Sequence, residues 1–142
     1  MTERSINLRD WEAAAVRDGH KTQKRFVIKP QPPEHIHGIL KHYPNQSGSP
    51  YGVPGDRLYR KPKWSSDIWL EVVSVRVQRL QDITDAEAMA EGFTDSEALV
   101  GQISEPYRSV FVSYWQMTHR KPEYDWYANP YVWTVEWRLI DV

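Results

Sequence analysis

The 142-residue chain has no cysteine, which excludes disulfides, thiolate nucleophiles and cysteine-based zinc sites together. Any nucleophile must then be oxygen or nitrogen. It also lacks a run of about 18 apolar residues, and it opens Met1-Thr2-Glu3-Arg4 rather than with an apolar leader, so a cytoplasmic protein with no membrane partner is expected. A strong net charge is missing as well: the formal total is −1. That balance conceals an asymmetry. Lys and Arg number 12 against 7 acidic residues in residues 1–70, and 6 against 12 in residues 71–142, giving +5 and −6. A basic half suits a phosphate-bearing partner better than the overall charge suggests.

What is abundant is aromatic: seven Trp and eight Tyr, several beside Arg or Lys. Rings of this kind either fill a core or stack on bases. The length fits one compact domain over residues 1–142, and 40% hydrophobic with 26% charged residues is an ordinary globular composition.

Residues 8–18 read as a helix, with Leu8, Trp11 and Ala14 or Ala15 at helical spacing, Asn7 or Asp10 as cap and Gly19 as terminator. Residues 22–28 turn β-rich, which places Gly19-His20-Lys21 at a helix-to-strand corner. Residues 29–50, with five prolines, read as a long loop that forms a lid. Within it His35-x-His37 and His42 suggest a metal site but offer no obvious fourth ligand; no metal and no cofactor is expected. Gly52-Val53-Pro54-Gly55-Asp56 is a turn leading into a short strand at Leu58 and Tyr59.

Ile68 to Leu80 is the clearest strand. Ile68, Leu70 and Val72 share one parity and Val73, Val75 and Val77 the other, so a bulge near Val72-Val73 is predicted, bending the strand around a small barrel. Thr84-Asp85-Ala86-Glu87 is a capping box for a short helix that Gly92 ends, with Glu87 expected to be used by the cap. Tyr107, Val110, Phe111 and Tyr114 mark an amphipathic helix ending before Pro122. Val132 to Ile140 alternates again, with Trp133, Val135, Trp137 and Leu139 on one face. The class is α+β, a small, curved, mainly antiparallel barrel with two to four flanking helices.

Gly19-His20-Lys21-Thr22-Gln23-Lys24-Arg25 resembles the signature of the ASCH family, a Gly-x-Lys followed by a basic residue. With Tyr51 to Tyr59, Trp64 to Thr84 and Asn129 to Trp133 in that order, the chain is similar to small ASCH proteins encoded by phages and prophages. The resemblance implies a PUA-like barrel, a basic cleft at the helix-to-strand corner, and RNA binding or processing in a bacterial or phage-infected cell. Some members hydrolyse N(4)-acetylcytidine with a Lys, a Thr and a Glu. Lys21 matches the Lys and Glu91 the Glu, while Lys24 stands where that Thr would be; Thr22 is the nearest alternative hydroxyl.

The residues themselves support two chemistries. Lys21, Lys24 and Arg25 supply donors for a phosphate or a base edge, and Tyr59, Trp64 or Trp126 would stack a base. Lys21 with Glu91 and Thr22 would instead support metal-independent amide hydrolysis. The expectation is therefore a monomer that binds or processes RNA or a modified nucleoside, with an amidohydrolase or ribonuclease as the alternatives.

Overall fold

The computed structural model describes residues 1–32, 49–94 and 101–141. Of the expected lid over residues 29–50, residues 33–48, with His35, His37 and His42, lie outside the described residues. Five strands, β1 (Glu3–Ser5), β2 (Gln23–Val27), β3 (Arg57–Tyr59), β4 (Trp69–Arg79) and β5 (Tyr131–Ile140), form one sheet in the order β1-β3-β4-β5-β2. Among the described residues three α-helices accompany it: α1 (Asp10–Arg17), α2 (Asp85–Ala90) and α3 (Pro106–Thr118).

The sheet is mixed and open. β3, β4, β5 and β2 pair antiparallel in succession, whereas β1 runs parallel to β3. The expected barrel is not closed, because β1 and β2 are edges that do not pair. A side chain spans part of the gap instead: Lys24 Nζ donates to the Asn7 carbonyl at 2.9 Å.

The bulge falls where the parity switch puts it. The β4–β5 register shifts between Val72 and Ser74. Leu70 and Val72 are buried before it, Val75 and Val77 after it, and Val73 is left 51% exposed. One extra residue thus keeps both halves of a long strand apolar on the same face.

Two apolar clusters result. The first joins Leu8, Ala13 and Val16 to Leu58, Leu70, Val72, Val75, Val135 and Trp137. The second joins Ala88, Phe93, Phe111 and Trp115 to Leu80, Ile83, Trp126 and Val132. Because helices cover both faces, β5 does not keep a simple alternation: Thr134 is buried and Leu139 is 44% exposed. The α1 face also differs from expectation. Glu12, Ala13 and Val16 are its buried residues, while Trp11 lies at the surface, in ring contact with Phe93 and Tyr114.

The local signals around α2 hold. Glu87 N–H donates to Thr84 Oγ1 and Thr84 N–H to Glu87 Oε1, each at 3.1 Å. Gly92 follows with φ +110°, a left-handed conformation that ends the helix and turns the chain at Glu91 toward Lys21.

Candidate functional site

Three segments distant in sequence meet at the start of β2. The helix α1 brings Glu12, the C-terminal end of α2 brings Glu91, and the corner after Gly19 brings Lys21, whose backbone forms an isolated bridge with Glu91. Lys21 Nζ donates to the Glu91 carbonyl at 2.7 Å and to Glu91 Oε1 at 3.3 Å, and it lies 3.6 Å from Glu12 Oε2. Lys21 and Glu91, named together from the sequence, are therefore in contact. The lysine side chain is only 1% exposed.

Arg25 is more deeply committed than a cleft-facing cation would be. It donates to Glu91 Oε2 and Glu87 Oε2, both at 2.8 Å, and to Gln23 Oε1 at 2.6 Å, with none of its side chain exposed. Glu87 consequently serves both the α2 cap, through Oε1, and this arginine, through Oε2. Lys24 points to the other side of β2, as a neighbour on a strand must, and its amine sits 2.9 Å from Glu12 Oε1. Lys21, Lys24 and Arg25 thus face Glu12, Glu87 and Glu91, three cations against three carboxylates.

The electrostatics follow from that packing. Burial opposes ionisation of Glu12, but Lys21, Lys24 and the Arg9 N–H outweigh it and hold the carboxyl below its usual range. Glu87 is likewise opposed by burial and held low on balance by Arg25, the Thr84 contacts and Arg76. Burial pushes the Lys24 amine down, with Glu12 partly restoring it.

A cleft of about 510 Å3 opens beside this cluster and follows the edge of β2 that pairs with no strand among the described residues. Ser5 and Asn7 line it from the β1 side, Lys24 to Val27 and Lys29 from β2 and beyond. Glu12, Glu91 and Arg25 supply polar wall, and Phe26, Tyr51, Tyr114 and Trp115 supply rings. Phe26 and Tyr51 stack at 4.2 Å. His119, also lining the cleft, stacks on Trp115 at 3.6 Å. Burial, then Lys29, Lys24 and Arg9, push its imidazole down to about 4, against the Trp115 carbonyl.

The backbone contributes too. Trp137 N–H donates to the Thr22 carbonyl and Ile28 N–H to the Tyr131 carbonyl, so in the antiparallel alternation the even residues of β2 bond to β5. The main-chain groups of Arg25 and Val27 are turned the other way, toward the cleft these residues line.

The expected aromatic residues lie elsewhere. Trp64 is 93% exposed, Tyr59 pairs with Trp69, and Trp126 is buried against Phe111 and Arg108; the cleft is lined by none of them. Thr22 is exposed, and neither it nor Lys21 lines the cleft. Glu12, Arg9, Lys29, Phe26, Tyr51, Tyr114, Trp115 and His119 are site residues that sequence reasoning missed. For Glu12 a signal existed: it is a carboxylate flanked by the apolar helix positions Leu8, Ala13 and Val16.

No protein-family model matches the sequence, and no curated protein does. Solved structures do share the fold. The ASCH domain from Lactobacillus crispatus JV V101 superposes with a TM-score of 0.54 at 12% identity, over 99% of this chain and 81% of that one. A DUF984 protein from Enterococcus faecalis V583 gives 0.54 at 11%, with the same coverage. The hypothetical protein PH0355 gives 0.53 at 14%, over 98% of this chain and 100% of that one. The chain thus has an ASCH-like α+β fold. No helix among the described residues is long and apolar enough to cross a membrane.

Proposed function

We propose that this ASCH-like domain binds RNA or a modified nucleoside as a monomer, holding one unstacked base in the cleft along the free edge of β2. The observation that carries the reading is the composition of that cleft. About 510 Å3 lies within the range of small-molecule sites, about 300–1,000 Å3. Its wall joins rings, Phe26 with Tyr51, to polar groups that reach the cleft, the partly exposed Lys24 amine and the outward main chain of Arg25 and Val27. Rings supply affinity for the face of a base, and fixed donors and acceptors read its edge. The ASCH resemblance of the signature residues points to the same ligand class, and to small phage- or prophage-type members.

Titration with single-stranded RNA and with N(4)-acetylcytidine, followed by amide chemical shifts, tests this. The expected result is saturable shifts at Arg25, Phe26 and Tyr51, and weakening by Tyr51→Ala. Shifts confined to Trp64 or Tyr59 refute the cleft.

A second reading, a hydrolase acting on N(4)-acetylcytidine-type nucleosides or on RNA, is favoured by one contact, Lys21 with Glu91 at 3.3 Å. In it Glu91, which lines the cleft, holds the attacking water while Lys21 fixes the carboxylate. Binding is preferred because the Lys21 amine meets three oxygens behind the cleft wall and Thr22 is on the outside. Deacetylation or RNA cleavage by pure protein, lost in Glu91→Gln that still binds ligand, would establish the enzyme.

A further inference from the structure

Charge is sorted by depth in this cleft. Deep in the wall every cation is matched: Lys24 by Glu12, Arg25 by Glu87 and Glu91, and behind them Lys21 by Glu12 and Glu91. At the rim the matching stops. Arg9 and Lys29 both line the cleft, both are exposed, and neither has an ion pair with a carboxylate among the described residues. The Lys29 amine rests 5.1 Å above the Tyr124 ring, a contact that leaves its charge unneutralised. Both cations act on one point, since His119 on the same wall feels Lys29 and Arg9 as well as Lys24.

A neutral interior with an unmatched cationic rim fits a ligand that is neutral where it is buried and anionic where it meets water. We infer that the ligand is a nucleotide rather than a free nucleoside, its base inside and its phosphate held at the mouth by Arg9 and Lys29. This rests on the base-binding reading above and names the ligand class within it. A second observation bears on the base. Arg25 lines the cleft, but its side chain is closed off from solvent, and its Nε donor has no acceptor among the described residues. The groups a base would meet there are the outward main-chain N–H donors of Arg25 and Val27, which suit a base that carries a carbonyl on its edge.

Calorimetric titration of the full chain with cytidine, cytidine 5′-monophosphate and a short single-stranded oligoribonucleotide tests this. The wild-type protein is expected to bind the monophosphate at least about tenfold tighter than the nucleoside at low salt. Two phosphate-neutralising cations on a single strand correspond to a log–log salt slope of about −1.4 for the oligonucleotide. The double variant Arg9→Gln/Lys29→Gln is expected to lose the monophosphate advantage and flatten the slope while leaving the nucleoside unchanged. Arg17→Gln, which removes a cation paired with Asp67 and absent from the cleft lining, controls for net charge. Equal affinity for nucleoside and monophosphate, or equal weakening of both in the double variant, overturns the nucleotide inference and leaves base binding intact. No binding of any of the three ligands overturns both.

Discussion

Glu91→Gln is expected to destabilise the fold far more than the removal of any surface carboxylate. In the wild-type protein its two oxygens take Lys21 at 3.3 Å and Arg25 at 2.8 Å, and both cations are essentially removed from water. The amide keeps one acceptor, turns a donor toward the other cation, and leaves three buried cations sharing two carboxylates. Breaking a buried pair by removing one partner costs about 3–5 kcal/mol. Unfolding entropy of about 2.1 cal/mol/K per residue gives roughly 0.3 kcal/mol/K for a chain this long. The midpoint should therefore fall by about 10–17 °C. Urea unfolding and calorimetry measure it, with Asp67→Asn as the exposed control whose midpoint stays put. Lys21→Met combined with Glu91→Leu should recover only the share of the loss that belongs to Lys21, since the buried Arg25 still lacks its 2.8 Å carboxylate. A loss under about 1 kcal/mol for Glu91→Gln would refute the idea that these charges are desolvated and mutually dependent.

Acid should weaken the fold in two stages. The folded imidazole of His119 titrates at about 4 against an ordinary 6.5, so the unfolded chain binds that proton first. Stability then falls as pH drops from about 6.5 to about 4, and urea midpoints of His119→Phe should be flat over that window. Glu12, Glu87 and Asp56, all held low in the folded chain, add stability that is present above their unfolded values and is lost below about pH 4. Gly52→Ala should cost at least about 2 kcal/mol by urea titration: φ is +85°, and the added Cβ would stand 2.5 Å from Asp56 Oδ2. Leu70→Ala should cost about 2–5 kcal/mol, whereas Val73→Thr on the bulge should stay within about 0.5 kcal/mol. Tyr51→Ala should lower affinity for single-stranded RNA by about 1–3 kcal/mol, and Trp64→Ala should leave it unchanged.

Much of the fold was legible because it is written in local signals. The parity switch at Val72-Val73 placed the bulge, Thr84 and Glu87 placed the start of α2, and the spacing of Phe111 within Tyr107 to Tyr114 placed α3. Edge pairing was not legible. Three residues of β1 carry no pattern strong enough to reveal a parallel partner, and so the closed barrel expected from the alternating strands became an open sheet. In the site, the union of Lys21 with Glu91 was recoverable from the signature and the helix end. The role of Arg25 was not, because sequence order does not tell which of two neighbouring cations a strand turns inward. The rings named from sequence lie outside the cleft, because each meets its cation elsewhere in the fold: Tyr59 and Trp64 meet Lys63, and Trp126 meets Arg108, while Phe26, Tyr51 and Trp115 line the cleft.

The gap between β1 and β2 changes what guards the cleft. Elsewhere in the sheet, parting two strands means rupturing a ladder of backbone bonds. Here, among the described residues, the β2 edge reaches the segment that follows β1 through the Lys24 amine, shared between Asn7 and Glu12. Widening that gap would cost a lysine its side-chain hydrogen bonds and leave every strand with its partners.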